Sequence, residues 1–352
     1  MTPADLGHFL ALAARAAPSA DNSQPLDFRW DGRRFAIAFS QSRGAGKLFG
    51  PQSHPTLLAV GAAMGNIDAA AEGLGASGSW EIASPAAADS IYGSFLPQAL
   101  PPGAAQNLEL PLFRRHTNRL PYRATALQAE QVEALRQSVS GSARMETLSS
   151  GPNRSALVRI VRQAAEVRFQ TRELHDWLMG SLRHTLAEAE GGEGLDVRTL
   201  HLPPGGHAFL RFTADWRRMA FLNQLGVYKA LAASETLLLG AAPLIAAIVA
   251  PHTLAGTLDA GRLLARVWSE LNAAGLAVHP YYVVTDQLLR LENGTIPPGL
   301  TERVLSFKAP LPELLALGPG DFPHILLRVG YPRKTPTLSR RLPLETLYTD
   351  LS

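Results

Sequence analysis

Ala17-Pro18-Ser19-Ala20-Asp21-Asn22-Ser23-Gln24-Pro25 follows directly on an apolar-periodic segment, and Arg114-Arg115-His116-Thr117-Asn118-Arg119 lies far downstream of it. In the first stretch, short polar side chains between two prolines fix an irregular loop and present hydroxyl, amide and backbone donors. In the second, Arg115 and Arg119 stand four residues apart with the Thr117 hydroxyl between them. Such a set can converge on a dianionic phosphate through charge-assisted hydrogen bonds. A third basic stretch, Ser339-Arg340-Arg341-Leu342-Pro343, follows Arg328-Val329-Gly330-Tyr331-Pro332. Taken singly, each also reads as a capped turn or a solvated basic segment.

Around these stretches the apolar spacing predicts the elements. A helix is expected over 4–17, with Leu6, Phe9, Leu10 and Ala13 on one face and Thr2 as N-cap. Phe28 and Trp30 before Asp31-Gly32, with Phe35, Ile37 and Phe39 alternating behind, predict a hairpin. Further helices are expected over 56–74, 127–139, 154–184 (one long amphipathic helix), 214–238 and 259–274, and strands over 244–249, 277–285 and 324–329. Residues 96–112 read as a Pro-rich linker, 191–206 as a Gly-rich mobile loop or lid, and the C-terminal tail as irregular. Gly61 and Gly75 bracket an Ala-rich helix, and Gly261 and Gly275 bracket another at the same spacing, 200 residues on. That pair, with the helix at 4–17 echoed at 127–139, points to an internal duplication with an insertion in its later half.

The composition excludes several classes. With 46% hydrophobic and 18% charged residues among 352, the chain has ample surface to build cores. No cysteine means no disulfide framework, thiol nucleophile, Fe–S cluster or Cys-bound zinc. The ten histidines show no metal-ligand spacing, so no metal is expected. No H-E-x-x-H, G-x-S-x-G or G-x-G-x-x-G occurs. Gly44-Ala45-Gly46-Lys47 fails as a phosphate loop, because Gln41 and Leu48 stand where Gly and Ser/Thr are needed. Basic residues never form a run of five, which argues against a nucleic-acid partner. The uncharged stretch 236–258 is broken by Gly240, Pro243, Pro251 and Gly256 and reads as a buried strand rather than a membrane span. Without a basic, apolar leader at its start, the chain is expected to be soluble and cytoplasmic, with no membrane partner.

Taken together, the three stretches resemble the nitroreductase superfamily of FMN-dependent oxidoreductases. That family shows R-x-[ST]-x-[RK] near its N-terminus, P-S-x-x-N-x-Q-P after its first helix, a Gly/Ala-rich helix ending in Gly-Leu, and a late R-[IV]-G-Y strand before an S-R-x-P tail. Arg115–Arg119, Pro18–Pro25, Gly261 to Gly275-Leu276, Arg328–Tyr331 and Ser339–Arg341 match these pieces. The order differs, since the arginine motif here follows the Pro-Ser loop. In the family, one subunit's arginine motif and tail grip the FMN phosphate while the partner's Pro-Ser loop lines the flavin. The resemblance therefore implies a fused protein, similar to the Acg-like two-domain branch. Its α+β, nitroreductase-like fold would have two unequal tandem halves forming an intramolecular pseudo-dimer, with a helical core and flanking mixed β-sheets. The first half, 1–105, would supply the Pro-Ser loop; the second, 106–352, would supply the phosphate clamp and a lid at about 190–218.

For the site, the resemblance implies Arg115, Thr117, Arg119, Arg340 and Arg341 at the phosphate, and Pro18, Ser19, Ala20, Asn22 and Gln24 along the flavin. Pro280, Tyr281 and Tyr282 would stand where the family's strand faces flavin N5; the two tyrosines either stack near the flavin or form a core pair. One FMN per chain is expected, because no second Pro-Ser loop and no arginine motif in the first half is found. The implied activity is hydride transfer through flavin N5 between NAD(P)H and a small organic substrate (nitroaromatic, quinone or biosynthetic intermediate), with no catalytic side chain. The alternative is a non-catalytic flavin-storage protein of Acg type. A monomer is expected in preference to a homodimer.

Overall fold

The computed structural model describes residues 2–44, 46–83 and 91–352; Met1 of the leader reading and Ala45 of the rejected phosphate loop lie outside them. The chain runs α1 (Pro3–Arg15), β1 (Leu26–Trp30), β2 (Phe35–Phe39), α2 (His54–Gly73), β3 (Gly78–Ile82), β4 (Ile91–Pro97), α3 (Ala129–Arg136), β5 (Val139–Ser140) and β6 (Ala143–Leu148). It continues through α4 (Gly151–Phe169), α5 (Arg172–Ser181), β7 (Leu182–Arg183), β8 (Leu195–Asp196), α6 (Gly206–Thr213), α7 (Trp216–Gln224) and α8 (Val227–Gly240). It closes with β9 (Leu244–Pro251), α9 (Leu254–Ala273), β10 (Ala277–Tyr281), α10 (Val283–Glu292), α11 (Thr301–Lys308), β11 (Asp321–Gly330) and β12 (Tyr348–Asp350).

Local chemistry explains the boundaries. Thr2 and Asp5 form a reciprocal capping box that starts α1, whose Leu6, Phe9, Leu10 and Ala13 are buried as expected. The Asp31-Gly32 hairpin forms in the register Trp30 opposite Phe35, with Gly32 at φ +86°. The helix expected over 154–184 is two helices. At the break, the Thr171 hydroxyl donates to the Val167 carbonyl at 2.9 Å, and extended Thr171 opens α5. The strand expected over 277–285 stops at Tyr281, since Val283, Val284 and Leu288 bury on one face of a helix instead. Within 191–206, Leu195–Asp196 pairs in parallel with Leu182–Arg183. Nor is the tail irregular throughout, because Tyr348–Asp350 pairs in parallel with Phe28–Trp30. Residues 96–97 of the expected linker belong to β4. Among the described residues no helix is long and apolar enough to cross a membrane, and Leu244–Ala250 form a fully buried strand.

The architecture is α+β, with two five-stranded sheets on either side of a central helix pair. The first sheet has the order β12-β1-β2-β4-β3 and the second β10-β11-β9-β6-β5. Only the first is mixed, by the β1–β12 pair; every pair in the second is antiparallel. Between them α2 crosses α9 with backbone in contact. A Cβ on Gly61 would lie 2.2 Å from the Leu258 carbonyl oxygen, and a Cβ on Gly261 would lie 2.3 Å from that of Leu58. The contact is reciprocal, because each residue of one pair lies 200 positions from its counterpart in the other.

No side-chain carbon can be accommodated at that crossing without parting the helices. Gly61→Ala or Gly261→Ala should each destabilise the protein by about 2 kcal/mol through overpacking. Gly180→Ala, at a helical glycine with open space around it, should be neutral or stabilising. Urea midpoints of the three variants check this; equal midpoints would mean that the crossing is not tight.

Candidate functional site

After α1 the chain leaves the helix at Ala16 and enters a tight loop in which Asp21, Asn22 and Gln24 all have positive φ (45°, 59° and 45°). Asp and Asn tolerate this region; Gln24 does so only because both ends of its side chain are held. The loop turns the Ala16 carbonyl toward two arginines, and a third holds the backbone next to Arg341. Arg115 Nη2 donates to it at 3.1 Å and Arg341 Nη2 at 3.5 Å, while Arg15 Nε donates to the Leu342 carbonyl at 2.6 Å. Arg341 Nη1 also donates to Asn22 Oδ1 at 2.7 Å, and the Arg115 guanidinium lies over the Trp268 ring at 4.5 Å.

No carboxylate acts on Arg115 or Arg341; that of Asp21 acts on Arg119 and that of Glu345 on Arg15, neither in direct contact. Among the described residues neither Arg115, Arg119 nor Arg341 takes part in an ion pair, and the buried Nε of Arg115 has no hydrogen-bond partner. Burial pushes Arg115 well below its usual value, with Arg341 adding repulsion, and pushes Arg341 down to about 10, with Arg15 adding repulsion. Arg119 is lowered by burial too. All three keep some surface open to solvent although protein encloses them densely, which describes a narrow cleft rather than a packed core. Enclosing like charges is costly unless an anion joins them. The donor set, with half-buried Thr117 between Arg115 and Arg119, fits a phosphate dianion.

Asn22 and Gln24 act differently from the sequence expectation. Asn22 Nδ2 donates to the carbonyls of Gly192, Gly194 and Arg340 at 3.0, 2.9 and 2.9 Å. Gln24 Nε2 donates to the Gly192 carbonyl at 2.8 Å, and its Oε1 accepts from the Leu342 N–H at 3.0 Å. Their amides thus clasp three chain segments together instead of standing free to line a flavin. Gly192, at φ +81°, lies where a Cβ would sit 2.2 Å from the Arg341 carbonyl oxygen. The exposed side chain of Arg340 pairs with Glu190 at 3.6 Å, and its carbonyl joins the clasp. Pro18 and Ser19 line a cavity of about 20 Å³, room for one water, and Ser19 Oγ accepts from the Gln24 N–H at 3.0 Å. Ala20 opens the short turn that carries Asp21 and Asn22.

On the far side of Arg119 stand β10 and β11. Arg328, fully buried, donates through Nη2 to the Asn118 and Leu120 carbonyls at 3.0 Å each and stacks on Tyr122 at 4.1 Å. It thereby fixes the backbone on both sides of Arg119. Pro280 pairs opposite Leu327 in the sheet. The Tyr281 hydroxyl donates to the Glu235 carbonyl at 3.2 Å, and the Tyr282 hydroxyl meets His54 Nδ1 at 2.9 Å. Both phenols are therefore engaged by protein, in agreement with a core pair. His54 Nε2 in turn meets His324 Nδ1 at 2.8 Å. Sequence reading missed His54, His324, Arg15 and Trp268. Arg328 was visible in its motif, but its role required knowing what it faces.

No family model matches the chain, and no curated protein matches it by sequence. Among solved structures, the FMN-dependent nitroreductase NfnB from Mycobacterium smegmatis, solved with NADPH, is 16% identical, with 68% of this chain and 95% of that chain covered and a TM-score of 0.39. An FMN-bound nitroreductase from Bacteroides fragilis is 11% identical, with 68% and 95% covered and a TM-score of 0.36. An FMN-dependent nitroreductase from Clostridium difficile is 12% identical, with 67% and 96% covered and a TM-score of 0.37. Likeness of this degree assigns neither activity nor ligand, so the weight falls on the chain's own residues.

The histidine pair makes stability depend on pH. Burial, then repulsion from His324 and His252, holds His54 well below 6.5, and burial holds His324 at about 4. Both are neutral when folded but take up protons when unfolded, so their contribution is complete above pH 6.5 and is lost as pH falls toward 4. For His324 alone the loss is about 3 kcal/mol by pH 4. Urea midpoints between pH 7 and 4 should show this fall, and His324→Leu should flatten it; an unchanged slope in the variant would contradict it.

Proposed function

We propose that the chain is an FMN-dependent oxidoreductase holding one flavin at the junction of two fused, unequal halves, 1–105 and 106–352. The observation that carries this reading is the enclosed Arg115–Arg341 pair with no carboxylate beside it. The pair joins the two proposed halves, because both arginines reach the Ala16 carbonyl that ends the first helix. An internal pseudo-dimer is supported by the reciprocal glycine contact of α2 and α9. It is supported also by corresponding strand orders: β3, β4, β2 and β1 run across the first sheet as β10, β11, β9 and β6 run across the second. The return of β12 to the first sheet ties the C-terminus to the N-terminal part.

Arg115 and Arg341, with Thr117, would hold the phosphate. Asn22 Oδ1 orients the Arg341 guanidinium, and Trp268 supports that of Arg115. Arg119, whose flanking carbonyls are fixed by Arg328, would present positive charge to the flavin ring and so favour its taking up electrons. The Asn22–Gln24 clasp closes residues 192–194 over the Arg341 backbone and excludes water there. Bound FMN would supply two-electron chemistry between NAD(P)H and a small organic acceptor such as a quinone or nitroaromatic. That clasp favours a second reading, flavin storage without turnover, since it seals the cleft with at least five hydrogen bonds. The internal pairing makes a monomer the expected state.

Anaerobic absorbance titration with NADPH and NADH separates the readings. Bleaching of bound FMN within seconds supports the oxidoreductase; a yellow protein that stays oxidised with both supports storage; and protein that cannot take up FMN overturns both. Arg115→Ala should weaken FMN binding by on the order of 2–5 kcal/mol, as loss of a charged partner from a desolvated phosphate does.

A further inference from the structure

The helices α6 and α7 turn one face inward and leave the other uncovered. Inward, Leu210 packs on the cluster of Leu182, Leu195 and Val197, Met219 is buried, and Trp216 lies against the His175 ring at 5.3 Å. Outward, Phe212 is 51% exposed, Phe221 59% and Leu225 68%, three of the twelve exposed large apolar side chains among the described residues. They are contiguous. Arg218 places its guanidinium over the Phe212 ring at 5.1 Å and donates to the Phe212 carbonyl at 3.2 Å. Phe221 then follows Arg218 at i+3 on α7, and Leu225 is the residue that ends that helix.

The charge on this surface is one-sided. Residues 202–234 carry Arg211, Arg217, Arg218 and Lys229, all exposed, against one carboxylate, Asp215. Asp215 caps α7 by accepting the Arg217 N–H at 2.8 Å, so its charge is taken up by the helix N-terminus. Single exposed apolar side chains need no explanation, but an apolar stripe edged by cations does. A second copy fits it poorly. A two-fold contact sets the same patch against itself, and these four cations would then face one another with only Asp215 to offset them. Aromatic and leucine side chains flanked by Arg and Lys match the boundary of an anionic bilayer, where the apolar groups enter the acyl region and the cations reach the headgroups.

We propose that the outer face of α6 and α7 docks on an anionic lipid surface through Phe212, Phe221 and Leu225, with Arg211, Arg217, Arg218 and Lys229 meeting the headgroups. The proposal departs from the sequence expectation of no membrane partner, because periodicity alone does not tell which side of α7 is covered. The surface lies on the segment read as a lid, yet the proposal needs no flavin and stands apart from the proposed activity.

Co-sedimentation of the full chain with vesicles tests it. Binding is expected to vesicles of phosphatidylcholine with about one-third phosphatidylglycerol and not to phosphatidylcholine alone, and to fall steeply between low and high salt. Phe221→Ser with Leu225→Ser should lower partitioning by about tenfold. Arg217→Glu with Arg218→Glu should lower it by about a hundredfold. Arg136→Glu, an exposed charge change far from the stripe, should leave it unchanged. Equal binding to both vesicle types, no binding to either, or loss of a dimer as the sole effect of the Phe221/Leu225 change would each overturn the proposal. Circular dichroism of each variant separates lost docking from lost fold.

Discussion

The crossing of α2 over α9 at Gly61 and Gly261 is the constraint on which the rest depends. Because neither helix has a side chain at the crossing, backbone meets backbone and the two sheets are brought to one short distance on either side. That distance lets the loop after α1 reach Arg115 and Arg341, which belong to segments far away in sequence. It also sets His54, at the start of α2, against Tyr282, just past β10, and His324 of β11. Moving the helices apart by the width of a methyl group would loosen both sets of contacts together. The glycines thus act on the site without touching it.

The arginine cleft is an electrostatic debt in the folded chain. Arg115 and Arg341 converge on one carbonyl with one amide oxygen beside it, whereas other enclosed arginines here have carboxylates or several carbonyls as partners. Arg290 lies between Asp286 and Glu173, and Arg43 reaches Asp27. Fully buried Arg328 also lacks a carboxylate, but its carbonyl partners lie inside the protein, while Arg115 and Arg341 keep surface open to solvent, where an anion can join them. The Asn22–Gln24 clasp holds the loop in a left-handed backbone that costs free energy, which adds to the impression of a site kept in place by its surroundings.

Much of this was legible in the sequence, and the misses have physical causes. The hairpin at Asp31-Gly32, the capped first helix and the buried strand over 244–249 are encoded by neighbours a few residues apart, so local pattern sufficed. The break at Thr171 was hidden because apolar spacing continues across it; only a hydroxyl turned back on Val167 ends the helix. The strand Tyr348–Asp350 exists through pairing with Phe28–Trp30, a partner that no window of the chain contains. Arg340 and Arg341 looked equivalent, yet along extended chain neighbours point opposite ways, and one faces Glu190 while the other enters the cleft. Asn22 and Gln24 could be seen as polar loop residues, but their partners at Gly192, Gly194 and Leu342 could not.

The account stands or falls on whether the Arg115–Arg341 pair holds a phosphate. Calorimetric titration of the flavin-free chain with FMN and with riboflavin tests this directly, because the two ligands share the ring system and differ in the phosphate. The account predicts one FMN per chain and riboflavin binding weaker by about a hundredfold or more, the loss expected when enclosed cations are left unpaired. Equal affinity for the two, or two FMN molecules per chain, would contradict it.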